Sequence, residues 1–156
     1  IRRTLNAIDG CFMDRNDLRQ SLKVMQHVEE SLSNQKTNWC IFAEGKRNLD
    51  YVGCVNEMHH GTFRAAYKAG APIVPVAIFG TQLLLKDKPL YKEYPVFVKI
   101  LPPLYYEEYQ NMKTNDIAKT VSSRIEKVVA FELKGKFHQE MLKIDKKKYR
   151  LNRLVN

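Results

Sequence analysis

The chain has 156 residues, a length that suits one domain and is large enough to bury a core. Its 44% hydrophobic and 28% charged residues exclude a disordered chain. The longest uncharged run, Ala69 to Leu85, is broken by Gly70, Pro72, Pro75 and Gly80 and is shorter than the about 20 residues that span a bilayer. A net charge of +9 selects anionic partners as a class (phosphate ligands, acidic lipid surfaces, nucleic acid) without choosing among them.

The positive excess is uneven, at +5 for residues 136–156 and +4 for residues 1–135. Cys11, Cys40 and Cys54 are odd in number and widely spaced, which argues for a reducing compartment and against a disulfide framework or a zinc site. No signal peptide is visible. The first residue, Ile1, stands directly in a basic segment, so the chain is expected to be a fragment of a longer protein.

Residues 1–9 give no clear element. Gly10-Cys11-Phe12-Met13 reads as a short buried strand ending at Asp14-Arg15. Asn16 or Asp17 can then cap a helix, with Gln20 completing a capping box. Leu18, Leu22, Met25, Val28 and Leu32 follow helical spacing to a stop near Ser33-Asn34. A strand from Asn38 to Phe42 follows, giving the proportions of a βαβ crossover onto a parallel sheet. Residues 48–60 read as loop, and Thr62 to Ala69 as a short helix with Gly70 at its C′ position.

Ile73 to Phe79 is the strongest strand, apolar throughout as a central parallel strand should be. Pro75 within it cannot donate to a ladder, which calls for an edge, a bulge or a functional reason for an unpaired carbonyl. Pro95 to Leu101 alternates more openly through Val96, Val98 and Ile100 and is halted by Pro102-Pro103. Tyr105, Tyr106 and Tyr109 form an aromatic connector. A long helix is expected from Asn115 to Leu133, striped by Ile117, Val121, Ile125, Val128 and Val129 and ended by Gly135. The tail from Phe137 sets Met141, Ile144 and Leu151 among lysines. Alternating strands and helices predict an α/β fold with a mostly parallel central sheet flanked by helices.

The stretch Ile41-Phe42-Ala43-Glu44-Gly45-Lys46-Arg47-Asn48 carries the chemistry. An apolar run ends abruptly in an acid, a glycine that permits a sharp turn, and two cations. A guanidinium grips phosphate bidentately while an ammonium acts as a point charge, so Lys46 and Arg47 make a candidate anion pocket; a basic surface loop is the plain alternative.

Gly10-Cys11-Phe12-Met13-Asp14-Arg15, Phe42 to Asn48, and Ala71-Pro72-Ile73-Val74-Pro75-Val76, in that order, resemble the second, third and fourth conserved blocks of the glycerolipid acyltransferase family. Gly61 to Gly70 is similar to the helix that links the last two, and the resemblance covers about residues 8–82. It implies a glycerol-3-phosphate acyltransferase-like fold and transfer of a fatty acyl group to 1-acylglycerol 3-phosphate (lysophosphatidate), giving phosphatidate. The donor would be a thioester of coenzyme A or acyl carrier protein, a co-substrate, with no cofactor and no metal. In the family a His-x-x-x-x-Asp pair supplies the base. None of His27, His59, His60 or His138 is followed five residues later by Asp, so no catalytic residue is expected in this chain and it should not turn over substrate alone.

The resemblance implies that Arg15 and Arg47, with Lys46 beside them, bind the acceptor's phosphate. Glu44 would position the acceptor, Gly45 would make the turn, and Ile73, Pro75 and Val76 would line the acceptor or acyl pocket. Two positions depart from the family pattern: Ala43 stands where proline is usual, and Lys46 where threonine or serine is usual. Plainer readings stand beside these roles: Arg15 pairing with Asp17 or capping the sheet edge, Pro75 as a bulge proline, His59-His60 as an ordinary polar loop. Residues 1–135 form the acyltransferase domain and 136–156 a basic tail, read either as a solvated helix face or as a contact with an anionic membrane. A membrane-associated protein at the cytoplasmic face follows, with no specific nucleic acid expected. The rival readings are another acceptor within the family, or a non-catalytic basic module that binds anionic membrane or nucleic acid.

Overall fold

Asp17 begins the first helix as its spacing predicts: the carboxylate accepts the Gln20 N–H at 3.0 Å and caps α1, Leu18–Ser33. The computed structural model describes residues 10–11, 17–46, 48, 54–81 and 95–143. Beyond α1 come a 3-10 turn, His60–Phe63, the short helix α2, Arg64–Ala69, and strands β1, Val76–Phe79, and β2, Phe97–Ile100. A helical turn α3, Tyr106–Tyr109, leads to α4, Thr114–Val128, a π turn, Val129–Leu133, and α5, Lys134–Lys143. Helix α1 buries Val28 and lies against α2, with Glu29 and Lys68 paired at 3.2 Å. Gly70, at φ +61, closes α2 as expected.

The sheet corrects the expected pairing. Among the described residues it has two strands, and β1 runs antiparallel to β2 in the register Val76↔Ile100 to Phe79↔Phe97. The mostly parallel central sheet is not found among them. The strand expected at Gly10–Met13 lies largely outside the described residues, as do Arg15, Arg47 and residues 144–156. Residues 38–42 are described but form no ladder; Trp39 instead meets His27 of α1 edge-on, with ring centroids 5.7 Å apart.

The proline in the strongest strand is explained by that register. Ile73 forms an isolated bridge with Leu104, whereas Val76 already faces Ile100, so Val74 and Pro75 oppose three residues, Leu101 to Pro103. This is a bulge. The Pro75 carbonyl is not left unpaired, because it accepts the Leu101 N–H at 2.9 Å. Past β1 the chain turns at Gly80, where φ is +107 and a Cβ would stand 2.4 Å from the Pro95 carbonyl oxygen, so only glycine fits.

One face of the sheet, through Ala77 and Phe79, packs with Leu101 on Val129 and Leu133, and Phe137 meets Phe79 edge-on at 5.3 Å. The opposite face presents Val74, Val76, Ile78, Val96, Val98 and Ile100, each 39 to 70% exposed. A second cluster gathers Phe63, Leu104, Tyr109, Ile117, Ala118 and Val121, and Ile125 touches both. The expected stripe of the long helix therefore faces inward, but Gly135 does not end it. The chain stays helical to Lys143 because Phe137 and Met141 find apolar partners or burial, which outweighs the about 1 kcal/mol cost of glycine in a helix.

The aromatic connector proves to be a core element. Tyr109 is fully buried, and its hydroxyl donates to the Ala71 carbonyl, with the Ala66 carbonyl also within reach at 3.2 Å. Burial first, then the neighbouring Tyr106 and Glu107, push its pKa up to about 12. Tyr109→Phe is expected to lower stability by about 1 kcal/mol in urea denaturation, because the part-buried Ala71 carbonyl loses the hydroxyl's hydrogen bond. Glu132 accepts hydrogen bonds from Lys99 of β2 and, at 2.9 Å, from Lys136, and these hold its carboxyl below the usual carboxylate range, Lys99 contributing most. Its contribution is therefore present above the unfolded pKa and lost as pH falls through the lowered folded pKa. Glu132→Gln should lower the denaturation midpoint at neutral pH, and the gap from the parent should close on acidification through the carboxylate range.

Candidate functional site

The turn after Phe42 is built from short-range contacts. Gly45 adopts φ +63, a left-handed conformation that favours glycine, and its N–H donates to the Phe42 carbonyl at 2.9 Å. Ala43 packs against the cluster around Phe63 and Leu104, and its carbonyl accepts the His59 N–H at 2.9 Å. Met58, next to His59, joins the same cluster. The motif is thus stapled to the extended segment 54–59, which leads directly into the 3-10 turn and α2.

The Glu44 side chain is anchored by two hydrogen bonds. Its Oε2 accepts the backbone N–H of Asn56 at 2.8 Å and, more distantly, the Asn48 amide at 3.4 Å. The same Asn48 nitrogen donates to the Cys54 carbonyl at 2.7 Å. Asn56 lends its backbone to this site; its side-chain nitrogen is buried with no hydrogen-bond partner among the described residues. Neither asparagine was assigned a role by the sequence. Asn48 closes the quoted motif, which is the one available signal, and nothing local marks Asn56.

The structure places the other candidates as follows. Lys46 is exposed beside the half-buried Glu44 and Gly45, whereas Arg15 and Arg47 are outside the described residues. Strand alternation sets Ile73 and Pro75 on the packed side, Pro75 buried, and Val76 on the open face at 39% exposure. His59 and His60 are both exposed and serve the local fold: the His59 carbonyl accepts the Thr62 hydroxyl at 2.7 Å, and His60 Nδ1 stands 3.4 Å from the Thr114 hydroxyl. Among the described residues no cluster of three His, Cys, Asp or Glu side chains could hold a metal, and no helix is long and apolar enough to cross a membrane.

Comparison with known proteins places the chain among acyltransferases. A family model described as Acyltransferase matches residues 1–79. The chain is 28% identical over 132 residues to a Mycoplasma genitalium protein named "Probable 1-acyl-sn-glycerol-3-phosphate acyltransferase", covering 78% of the chain and 47% of the relative. A Mycoplasma pneumoniae protein of the same name is 33% identical over 84 residues, covering 54% and 30%. The Saccharomyces cerevisiae 1-acyl-sn-glycerol-3-phosphate acyltransferase is 25% identical over 121 residues, covering 76% and 40%. The chain thus spans less than half the length of these relatives. No solved structure matches.

The left-handed turn is open to a direct check. Gly45→Ala is expected to lower the urea midpoint with an unchanged slope, a loss of about 1–2 kcal/mol from forcing a Cβ into that conformation.

Proposed function

Because the chain belongs to the acyltransferase family, we propose that it forms the acceptor side of a 1-acylglycerol-3-phosphate O-acyltransferase. The observation that carries this reading is the turn at 42–45, which lies within the family match and whose Glu44 carboxylate accepts hydrogen bonds from the Asn56 N–H and the Asn48 amide. The names of the bacterial and yeast relatives support lysophosphatidate as the acceptor.

In the reaction, the acceptor hydroxyl oxygen bonds to the thioester carbonyl carbon, the carbon–sulfur bond breaks, and the thiolate leaves, taking from the protonated base the proton that the hydroxyl gave up. The hydroxyl proton passes to a base, which this reading assigns to a His-x-x-x-x-Asp pair that these 156 residues do not contain. Glu44 accepts a hydrogen bond from the glycerol moiety, and Arg15, Arg47 and Lys46 neutralise its phosphate. Of the three apolar candidates, Val76 on the open face lines the site, while Ile73 and Pro75 on the packed face support it from behind. The acyl thioester is a co-substrate, and no further cofactor takes part.

The same reading places β1 and β2 in a mostly parallel central sheet flanked by helices in the whole protein, and the open apolar face of the pair is consistent with a further layer there. It also places the protein at the anionic, cytoplasmic face of a membrane, where its acceptor resides and where a charge of +9 is favourable.

Calorimetric titration with lysophosphatidate tests the phosphate clamp. Arg47→Ala and Arg15→Ala should each abolish measurable binding, since each removes a charge-assisted contact to the phosphate. If both variants bind as the parent does, the clamp is wrong. Competition by glycerol 3-phosphate reports whether Lys46 shifts the acceptor preference within the family.

A further inference from the structure

We propose that Asn48 is a positioning residue for the acceptor, acting through Glu44 as a latch on the carboxylate; this rests on the acceptor role given to Glu44 above. An amide nitrogen carries two hydrogens, and Asn48 directs its nitrogen to two oxygens, the Cys54 carbonyl at 2.7 Å and Glu44 Oε2 at 3.4 Å. The backbone N–H of Asn56 reaches the same Oε2 at 2.8 Å. Both donors therefore fall on one oxygen of the carboxylate, while Oε1 receives no hydrogen bond from the described residues.

This asymmetry has a chemical consequence. A carboxylate held through one oxygen keeps a single orientation and leaves the other to accept a substrate hydroxyl. The bond to Cys54 matters as much as the one to Glu44, because it ties the motif's last residue to the segment that supplies the Asn56 N–H. Without the Asn48 amide, Oε2 keeps only the Asn56 N–H of its two donors, and the bond to the Cys54 carbonyl is lost. Glu44 then samples more rotamers, and the acceptor must bear the cost of ordering it.

The test uses the whole protein that carries this chain, with lysophosphatidate in mixed micelles as acceptor. Asn48→Ala is expected to raise the acceptor KM about tenfold, the scale of one lost hydrogen bond to a charged group, while kcat and the acyl-donor KM stay as in the parent. Asn48→Ser, which keeps a hydroxyl donor, should recover part of the loss. Adding Asn48→Ala to Glu44→Ala should change nothing further, since the latch then has nothing to hold. An unchanged acceptor KM in Asn48→Ala, even with a lowered Tm, overturns the positioning role. So does the same KM increment appearing in the Glu44→Ala background. If Glu44→Ala itself leaves the acceptor KM unmoved, the acceptor reading falls and the latch with it, whereas a failure confined to Asn48 leaves that reading standing.

Discussion

The hydroxyl of Tyr109 reaches back to the carbonyls of Ala66 and Ala71, and much of the described structure depends on that closure. It seals the end of α2 against a residue some forty positions later in the chain. Tyr109 shares its cluster with Phe63, at the end of the 3-10 turn, and the cluster also takes in Ala43 and Met58. The turn that carries Glu44 is therefore seated on the same core that the tyrosine closes. A buried phenol with its donor satisfied both fills volume and selects one arrangement of the carbonyls around it.

Sheet and helices divide the remaining work. The bulge opposite Pro75, where 101–103 carry one extra residue, interrupts the regular ladder at the position that lacks an N–H, and the Pro75 carbonyl still accepts the Leu101 N–H. Beyond it, β1 and β2 turn Ala77 and Phe79 toward the π turn and α5, and the Lys99–Glu132 pair joins the sheet to that helical layer at its edge. The reverse face is apolar along both strands and exposed. Continuous apolar composition in a strand signals burial on two faces; it carries no information about the direction of the neighbour. That is why the run from Ile73 to Phe79 suggested a parallel sheet and yet pairs antiparallel with 97–100.

The same distinction separates what was readable at the site from what was not. The turn at Gly45 followed from residue types a few positions apart, and so did the Asp17 cap and the Gly70 terminus. The anchors of Glu44 did not follow: Asn56 stands twelve residues away and contributes a backbone N–H, which every residue but proline possesses. Gly135 misled for a related reason. A glycine weakens a helix locally, but the burial of Met141 and the packing of Phe137 on Phe79 carry the helix past it.

From its residues alone, then, this protein declared its three motif blocks, its main helices, the inward stripe of α4, the absence of a His-x-x-x-x-Asp pair from these residues and the excess of positive charge. All of these are encoded in side-chain type and short-range spacing. Tertiary structure decided the antiparallel register, the pairing of the Pro75 carbonyl, the burial of Tyr109 and the orientation of the Glu44 carboxylate. Each of those is a contact between segments distant along the chain, made through backbone groups or packing whose partners are selected only when the whole core closes.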